Sequence, residues 1–251
     1  MDSNTKIYYI SKYENIPRTQ SGPIHLIFDY HFNQDVSNLP SNITHLTFGF
    51  NFNQNVSTLP PFLTHLTFGP SFNQNVSKLP QTLIHLTFGT DFNRDVSKLP
   101  LNITHLTFGN CFNRDVSVLP PFLTHLTFGC NFNQDVSVLP HNLIHLTFGY
   151  YFNQDISKLP HTLTHLTLGC HFMKECNILP NIKYLKLNCN NSCIINNLPN
   201  SVAELELDRN FNLEMNNLPT SIKILRIDKY SEYDRDLNCL PDFVEELQLN
   251  K

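Results

Sequence analysis

The chain has 251 residues, of which 15% are charged, and a net charge of −4 with its 12 histidines neutral. Its Lys and Arg are scattered rather than gathered into a stripe, which argues against a nucleic-acid partner. No apolar run approaches the roughly 18 residues that a membrane span needs. Seven cysteines, an odd number without framework spacing, point to a reducing compartment, with the cytoplasm as the expected location.

In chain order, residues 1–22 come first. Charges interrupt the apolar run in "MDSNTKIYYISKYENIP", so it lacks the core of a signal peptide and reads as an N-terminal cap segment. From residue 23 a unit of 20 residues recurs: Pro40, Pro60, Pro80, Pro100, Pro120, Pro140, Pro160 and Pro180 are evenly spaced. Pro199, Pro219 and Pro241 continue the series with small slips. One unit, "FNQNVSKLPQTLIHLTFGTD" (Phe72–Asp91), holds a single extended segment, Leu83–Phe88, between the Leu-Pro turn and Gly89. Leu86 and Phe88 alternate with His85 and Thr87, so one pair faces a core and the other faces out. Residues 23–172 repeat almost letter for letter. Residues 173–251 diverge but belong to the same single domain. "NIKYLKLN", "SVAELELD", "SIKILRID" and "DFVEELQLN" keep the apolar frame while losing the glycine, the threonine and the histidine. Tyr184, Glu204, Ile224 and Glu246 stand where His stood, so histidine is not needed to make a coil.

A unit with one strand and one return path cannot form hairpins. Successive strands must run parallel, each coil returning to lie beside the last, which defines a mainly β, right-handed parallel β solenoid. Twelve strands are expected, from Ile24–Phe28 to Val244–Leu249. At about 4.8 Å per neighbour they form a sheet roughly 50 Å long. Val76, Leu79, Leu83, Leu86, Phe88 and Phe92 are the expected core of one coil. Those six side chains cannot offset the ordering of a whole unit, so only stacking makes the coils stable.

The apolar–x–x–Leu–x–apolar strands resemble leucine-rich repeats. The fuller pattern, Phe52-Asn53, Val56, Leu59-Pro60 and then "FLTHLTFG", resembles the FNIP repeat family, known mainly from amoebae and the giant viruses that infect them. The likeness is strong over residues 31–172 and weak over 173–251. The unit is slightly shorter than the usual family repeat, which implies a tighter convex side. Some family proteins carry an N-terminal F-box that recruits a ubiquitin ligase; residues 1–22 are too few for one.

Several rows of residues compete as sites. His45, His65, His85, His105, His125, His145 and His165, preceded by His25, form a ladder on the outer face. The stacked imidazoles and threonines are either hydrogen-bonded rungs, a recognition surface, or a metal array, the last lacking any carboxylate or thiol in the same stripes. Neighbouring imidazoles disfavour one another's protonation, so lowered histidine pKa values and a loss of stability on acidification are expected. Tyr150 and Tyr151, in a variable position after the glycine, are candidate interface anchors or shields for strand ends. The Asn row beginning at Asn33 is expected to satisfy turn backbone. The Asp/Asn row beginning at Asp35 is expected to form turns rather than calcium sites. Cys170, His171 and Cys189 fall on neighbouring rungs and are weak metal candidates, free thiols being the better reading, and Cys176 takes an inward apolar position.

No nucleophile elbow, phosphate loop or metal helix is present, and repeated residues make poor unique active sites. The expectation is therefore a non-catalytic scaffold for protein–protein interaction, without a cofactor and with an unidentified protein partner. Two alternatives stand beside it: a ubiquitin-ligase substrate receptor that borrows its F-box from another chain, and a His/Cys metal-binding protein. The last strand is either blunted by Glu245, Glu246 and Lys251 or paired with a second copy in a homodimer.

Overall fold

A computed structural model describes residues 5–17, 21–175, 181–209, 211–228, 230–231, 244 and 246–249. One sheet of 13 parallel strands runs through it in strict chain order. The strands are β1 (Lys6–Ile10), β2 (Ile24–Phe28), β3 (Ile43–Thr47), β4 (His65–Thr67), β5 (His85–Thr87), β6 (His105–Thr107) and β7 (His125–Thr127). They continue as β8 (His145–Thr147), β9 (His165–Leu168), β10 (Tyr184–Leu187), β11 (Glu204–Leu207), β12 (Ile224–Ile227) and β13 (Glu246–Leu249). The chain is thus the expected parallel solenoid, with one strand more than the repeat count. That strand is β1, in the segment read as a cap, and it pairs with β2 in register from Lys6↔Ile24 to Ile10↔Phe28.

Regularity follows from the repeat length. His65 pairs with His85, Leu66 with Leu86 and Thr67 with Thr87, and the same register carries from β3 to β9. The single slip falls between β2 and β3, where Thr44 is the extra residue.

The strands of the regular coils are shorter than the six-residue segment suggested by the sequence. In each, two successive amides share one carbonyl: Ile84 and His85 both donate to Thr64 O, at 2.9 and 3.1 Å. The backbone bends there, so ladder pairing begins only at the histidine.

The core is as expected: Val76, Leu79, Leu83, Leu86, Phe88 and Phe92 are all buried, as are their counterparts in the neighbouring coils with few exceptions. Two columns of phenylalanine run the length of the regular coils. Phe88 and Phe92 stack within a coil at 3.7 Å, and each meets its copy in the next coil at 5.6 and 6.1 Å.

The glycine row has a steric cause. A Cβ on Gly89 would lie 2.1 Å from Gly69 O, and one on Gly109 would lie 1.9 Å from Gly89 O. Side-chain-free backbone is needed for the coils to approach this closely. In the diverged coils Asn188, Asp208 and Asp228 take this position, and their amides instead donate to Leu168 O, Leu187 O and Leu207 O at 3.0–3.1 Å. The strand there keeps its course for another residue, and a Cβ fits.

A short helix, α1 (Ser192–Asn196), replaces part of one return path. Asn191 caps it by accepting from the Cys193 and Ile194 amides. The inward position expected for Cys176 lies outside the described residues. So do Glu245 and Lys251, whereas Glu246 on β13 is exposed.

Candidate functional site

Position within the repeat separates charge from neutrality. Across residues 41–170 the first ten residues of each 20-residue unit, from the Leu-Pro turn through the strand and its glycine, contain no Lys, Arg, Asp or Glu. Every charge of the regular coils lies on the return path that follows. The outer face of the sheet is therefore uncharged over seven consecutive coils.

On that face the imidazoles stack. Ring centroids are 4.2 Å apart for His45–His65, 4.3 Å for His65–His85, 4.1 Å for His85–His105 and 4.1 Å for His105–His125. His125–His145 and His145–His165 follow at 4.3 and 3.9 Å, and Tyr184 caps the stack 5.6 Å from His165.

The residue before each histidine completes the arrangement. Thr64 Oγ1 lies 2.9 Å from His65 Nδ1 and 3.0 Å from Thr44 O in the preceding coil. Thr124 does the same for His125, at 2.9 Å, and Thr104 O, at 3.1 Å. A hydroxyl has one proton, so where it donates to the carbonyl, Nδ1–H must donate to it. The lone pair of Nε2 is then left pointing away from the threonine. Ile84 and Ile144 interrupt this pattern.

Seven histidines of the ladder have lowered pKa values, and burial of the ring is the first cause, ahead of repulsion between imidazoles. The repulsion expected from the sequence contributes in the same direction as burial and comes second to it. His65 and His125 are lowered furthest, from 6.5 to about 4. The face thus presents neutral imidazoles near pH 7. Nearly parallel stacked rings have nearly parallel lone pairs, which do not converge on one ion. Among the described residues no group of three or more His, Cys, Asp or Glu could hold a metal.

Beyond the ladder the outer face changes character. Lys186 donates to Glu206 at 2.6 Å, Tyr184 donates its hydroxyl to the same carboxylate, and Arg226 donates to Glu204 at 2.6 Å. Burial, then the Glu206 contact, pushes the Tyr184 phenol up.

The rims carry the variation between coils. Tyr150 and Tyr151 are half-exposed, meet edge to face at 4.8 Å, and enclose the His171 ring at 4.4 and 5.1 Å. His171 is thereby engaged by aromatic rings. Cys170 is half-buried and Cys189 is buried.

The other rim, where the residues after Leu-Pro vary from coil to coil, holds exposed apolar side chains. Phe62 and Phe122 are 62% and 55% exposed, and Ile84 and Ile144, one coil further on, are each 38% exposed. Phe122 and Ile144 line an open concavity of about 580 Å³ with Thr124, Asn142, Thr162 and Thr164. The signal that finds them is a longer period. "LPPFLTHLTFG" occurs at 59–69 and again at 119–129, and an Ile in place of Thr follows each at Ile84 and Ile144. Three coils, about 14 Å, separate the two apolar patches.

The Asn and Asp rows are structural, as expected. Asn33 Oδ1 accepts from the Asn53 amide at 2.9 Å, and Asn53 Oδ1 from the Asn73 amide at 3.0 Å, with the same link in later coils. Asp95 accepts from the Ser97 amide and hydroxyl at 2.9 and 2.8 Å, which closes a local turn and lowers its pKa.

The model of the FNIP repeat matches residues 52–91, 75–111, 92–131, 132–171 and 190–230. The chain belongs to the FNIP repeat family. Among solved structures it is similar to CroV588, a giant-virus protein described as a circular leucine-rich-repeat protein, with 43% identity and a TM-score of 0.75. That likeness covers 89% of this chain and 36% of CroV588, so the chain spans about a third of that relative. YopM from Yersinia enterocolitica WA-314 is 21% identical with a TM-score of 0.40, over 89% of this chain and 64% of YopM. No curated protein is significantly similar to the chain. Among the described residues no helix is long and apolar enough to cross a membrane.

Proposed function

We propose that this FNIP-repeat solenoid is a non-catalytic scaffold that binds a protein partner across the uncharged outer face. The observation that carries the reading is the pair of matching apolar patches, Phe62 with Ile84 and Phe122 with Ile144, along the rim of a face whose strands present threonine and neutral histidine. Large apolar side chains left in water cost free energy that a partner recovers by covering them. The packed core does not require them, since Thr82, Asn102, Asn142 and Thr162 occupy the Phe position in other coils. A rigid sheet also presents its side chains with little entropy to lose on binding. Repeat scaffolds commonly work this way, and the described residues contain no singular cluster of acids, bases and nucleophiles.

The test compares the parent with Phe62→Thr/Phe122→Asn, which installs residues found at the same position in other coils. The assay is capture of partners from amoebal cytosol, followed by direct titration of the captured protein. Loss of at least tenfold in affinity, with the melting temperature unchanged, is expected. Equal binding by the double variant would overturn the reading. Ubiquitin-ligase subunits among the captured proteins would instead favour a receptor role through a borrowed F-box.

A further inference from the structure

The return path carries a second feature, distinct from the outer face. One residue after each ladder Asn, most regular coils have a glutamine that reaches back to the coil before. Gln54 Nε2 donates to Asn33 O and Oδ1 at 3.2 and 3.0 Å, Gln74 to Asn53 at 3.1 and 3.0 Å, and Gln154 to Asn133 at 3.1 and 3.0 Å. In two adjacent coils this residue is arginine. Arg94 Nε donates to Asn73 O at 2.9 Å and Arg114 Nε to Asn93 O at 3.1 Å. The arginines thus make the structural bond that neutral glutamine makes elsewhere. Each then has a charged, two-pronged NH₂ end to spare, and both side chains are exposed. Among the described residues neither guanidinium has a carboxylate within salt-bridge distance.

Neighbouring changes reinforce the charge. Lys98 lines a concavity of about 580 Å³ on the return path, separate from the one beside Phe122, together with Gln74, Asn75, Arg94, Asp95 and Arg114. Asn75 stands in the row that is Asp at positions 35, 95, 115, 135 and 155, so a negative charge is missing beside Arg94. Three cations against one carboxylate, itself engaged by Ser97, leave the concavity with a charge of +2 in a protein of net charge −4. Two guanidiniums held on rungs about 4.8 Å apart form paired forks that match the oxygens of a tetrahedral oxyanion.

We propose that Arg94, Arg114 and Lys98 form a binding site for a phosphate-monoester dianion carried on a polypeptide partner. The flanks select for one localised dianion. Asp115, Asp135 and Asp155 continue along the same side, exposed and ionised, and would repel the extended charge of a nucleic acid or an anionic bilayer. The open, shallow shape admits a group presented on a protruding side chain. The site lies off the uncharged face, so its test is independent of the partner reading above.

The probes are a short peptide containing one phosphoserine, its unphosphorylated twin, inorganic phosphate, single-stranded RNA and phosphatidylserine vesicles. Each is titrated against the whole chain by calorimetry at low salt. The expected results are binding of the phosphopeptide in preference to its twin, competition by inorganic phosphate, and at least a tenfold loss in Arg94→Gln/Arg114→Gln. Those glutamines restore the bond used in neighbouring coils, so the melting temperature of the variant stays that of the parent. Equal binding of the twin, absence of phosphate competition, or an unaffected double variant would each overturn the site. Tighter binding of RNA or vesicles than of the phosphopeptide would overturn the assignment to a polypeptide.

Discussion

Replacing Gly109 with alanine tests how the coils are held at their spacing. The new Cβ would sit 1.9 Å from Gly89 O and 2.3 Å from Gly89 C. Ordinary carbon–oxygen contact requires more than ~3 Å, so two coils about 4.8 Å apart must separate locally by ~1 Å. Two hydrogen bonds between these coils flank the point of contact, Cys111 N to Thr90 O at 2.8 Å and Phe88 N to Thr107 O at 2.9 Å. An added ångström takes both out of range, at roughly 1 kcal/mol each, and residual overpacking adds about 1–3 kcal/mol. A destabilisation of about 3–5 kcal/mol corresponds to a fall of roughly 6–20 °C in Tm for a domain of this size. Thermal unfolding followed by circular dichroism reads it directly. Thr90→Ala, at an exposed position beside Gly89, is the control and leaves Tm unchanged. Gly109→Ala melting within about 2 °C of the parent would refute the close approach of backbones as the reason for the glycine row.

Acidification is expected to destabilise the fold. The histidines from His25 to His145 have folded pKa values below the unfolded 6.5, reaching about 4 at His65 and His125. The unfolded chain therefore binds more protons between those limits, and stability is full above about pH 7 and is lost as pH falls toward 4. Discounted for solvent screening to roughly 1 kcal/mol per ring at His65 and His125, these two rings alone lower Tm by roughly 4–8 °C between pH 7.5 and 5, and the other five act in the same direction; a flat profile would contradict neutral, stacked imidazoles. Asn113→Ala removes the acceptor for the Asn133 amide and for Gln134 Nε2, at 3.0 and 2.8 Å. It should cost about 1–2 kcal/mol and speed hydrogen exchange at Asn133, with Asn113→Asp restoring protection. Phe112→Ala leaves a void between Phe92 and Phe132, each 6.1 Å away, and should cost about 3–5 kcal/mol in urea unfolding, whereas Phe108→Leu, a residue already used at Leu168, should cost far less.

Proline spacing and the alternation of Leu86 and Phe88 with His85 and Thr87 are enough to read a parallel solenoid, because a unit this short has one way to bury its apolar side. Strand length was not legible. It depends on the Thr64 carbonyl taking two amides, a bend that no residue type announces. "KIYYI" in β1 carries the β-branched and aromatic signature of a strand, yet without the repeat frame around it nothing marks it as a rung. The short helix depends on Asn191, whose side chain also donates to Phe172 O and Lys174 O at 3.3 and 3.0 Å. One asparagine among many does not reveal that role in sequence.

In near-identical coils the informative residues are those that change while the backbone requirement stays the same. His, Asn and Asp recur, and the structure ties each to a neighbour: His65 to Thr64, Asn53 to the Asn73 amide, Asp95 to Ser97. Recurrence made them conspicuous and, for the same reason, poor evidence of a particular ligand. Arg94 and Arg114 differ in kind. They keep the bond that Gln54 and Gln74 make and add a charge that the bond does not use. Phe62 and Phe122 likewise stand where Asn102 and Thr162 suffice, and add exposed apolar surface that the core does not need. A solenoid holds its scaffold nearly constant from rung to rung, so each such departure exchanges a neutral or polar group for one whose interaction energy is still unspent inside the chain. Binding is the process that would use it, and the glutamine and asparagine variants remove it without disturbing the rungs.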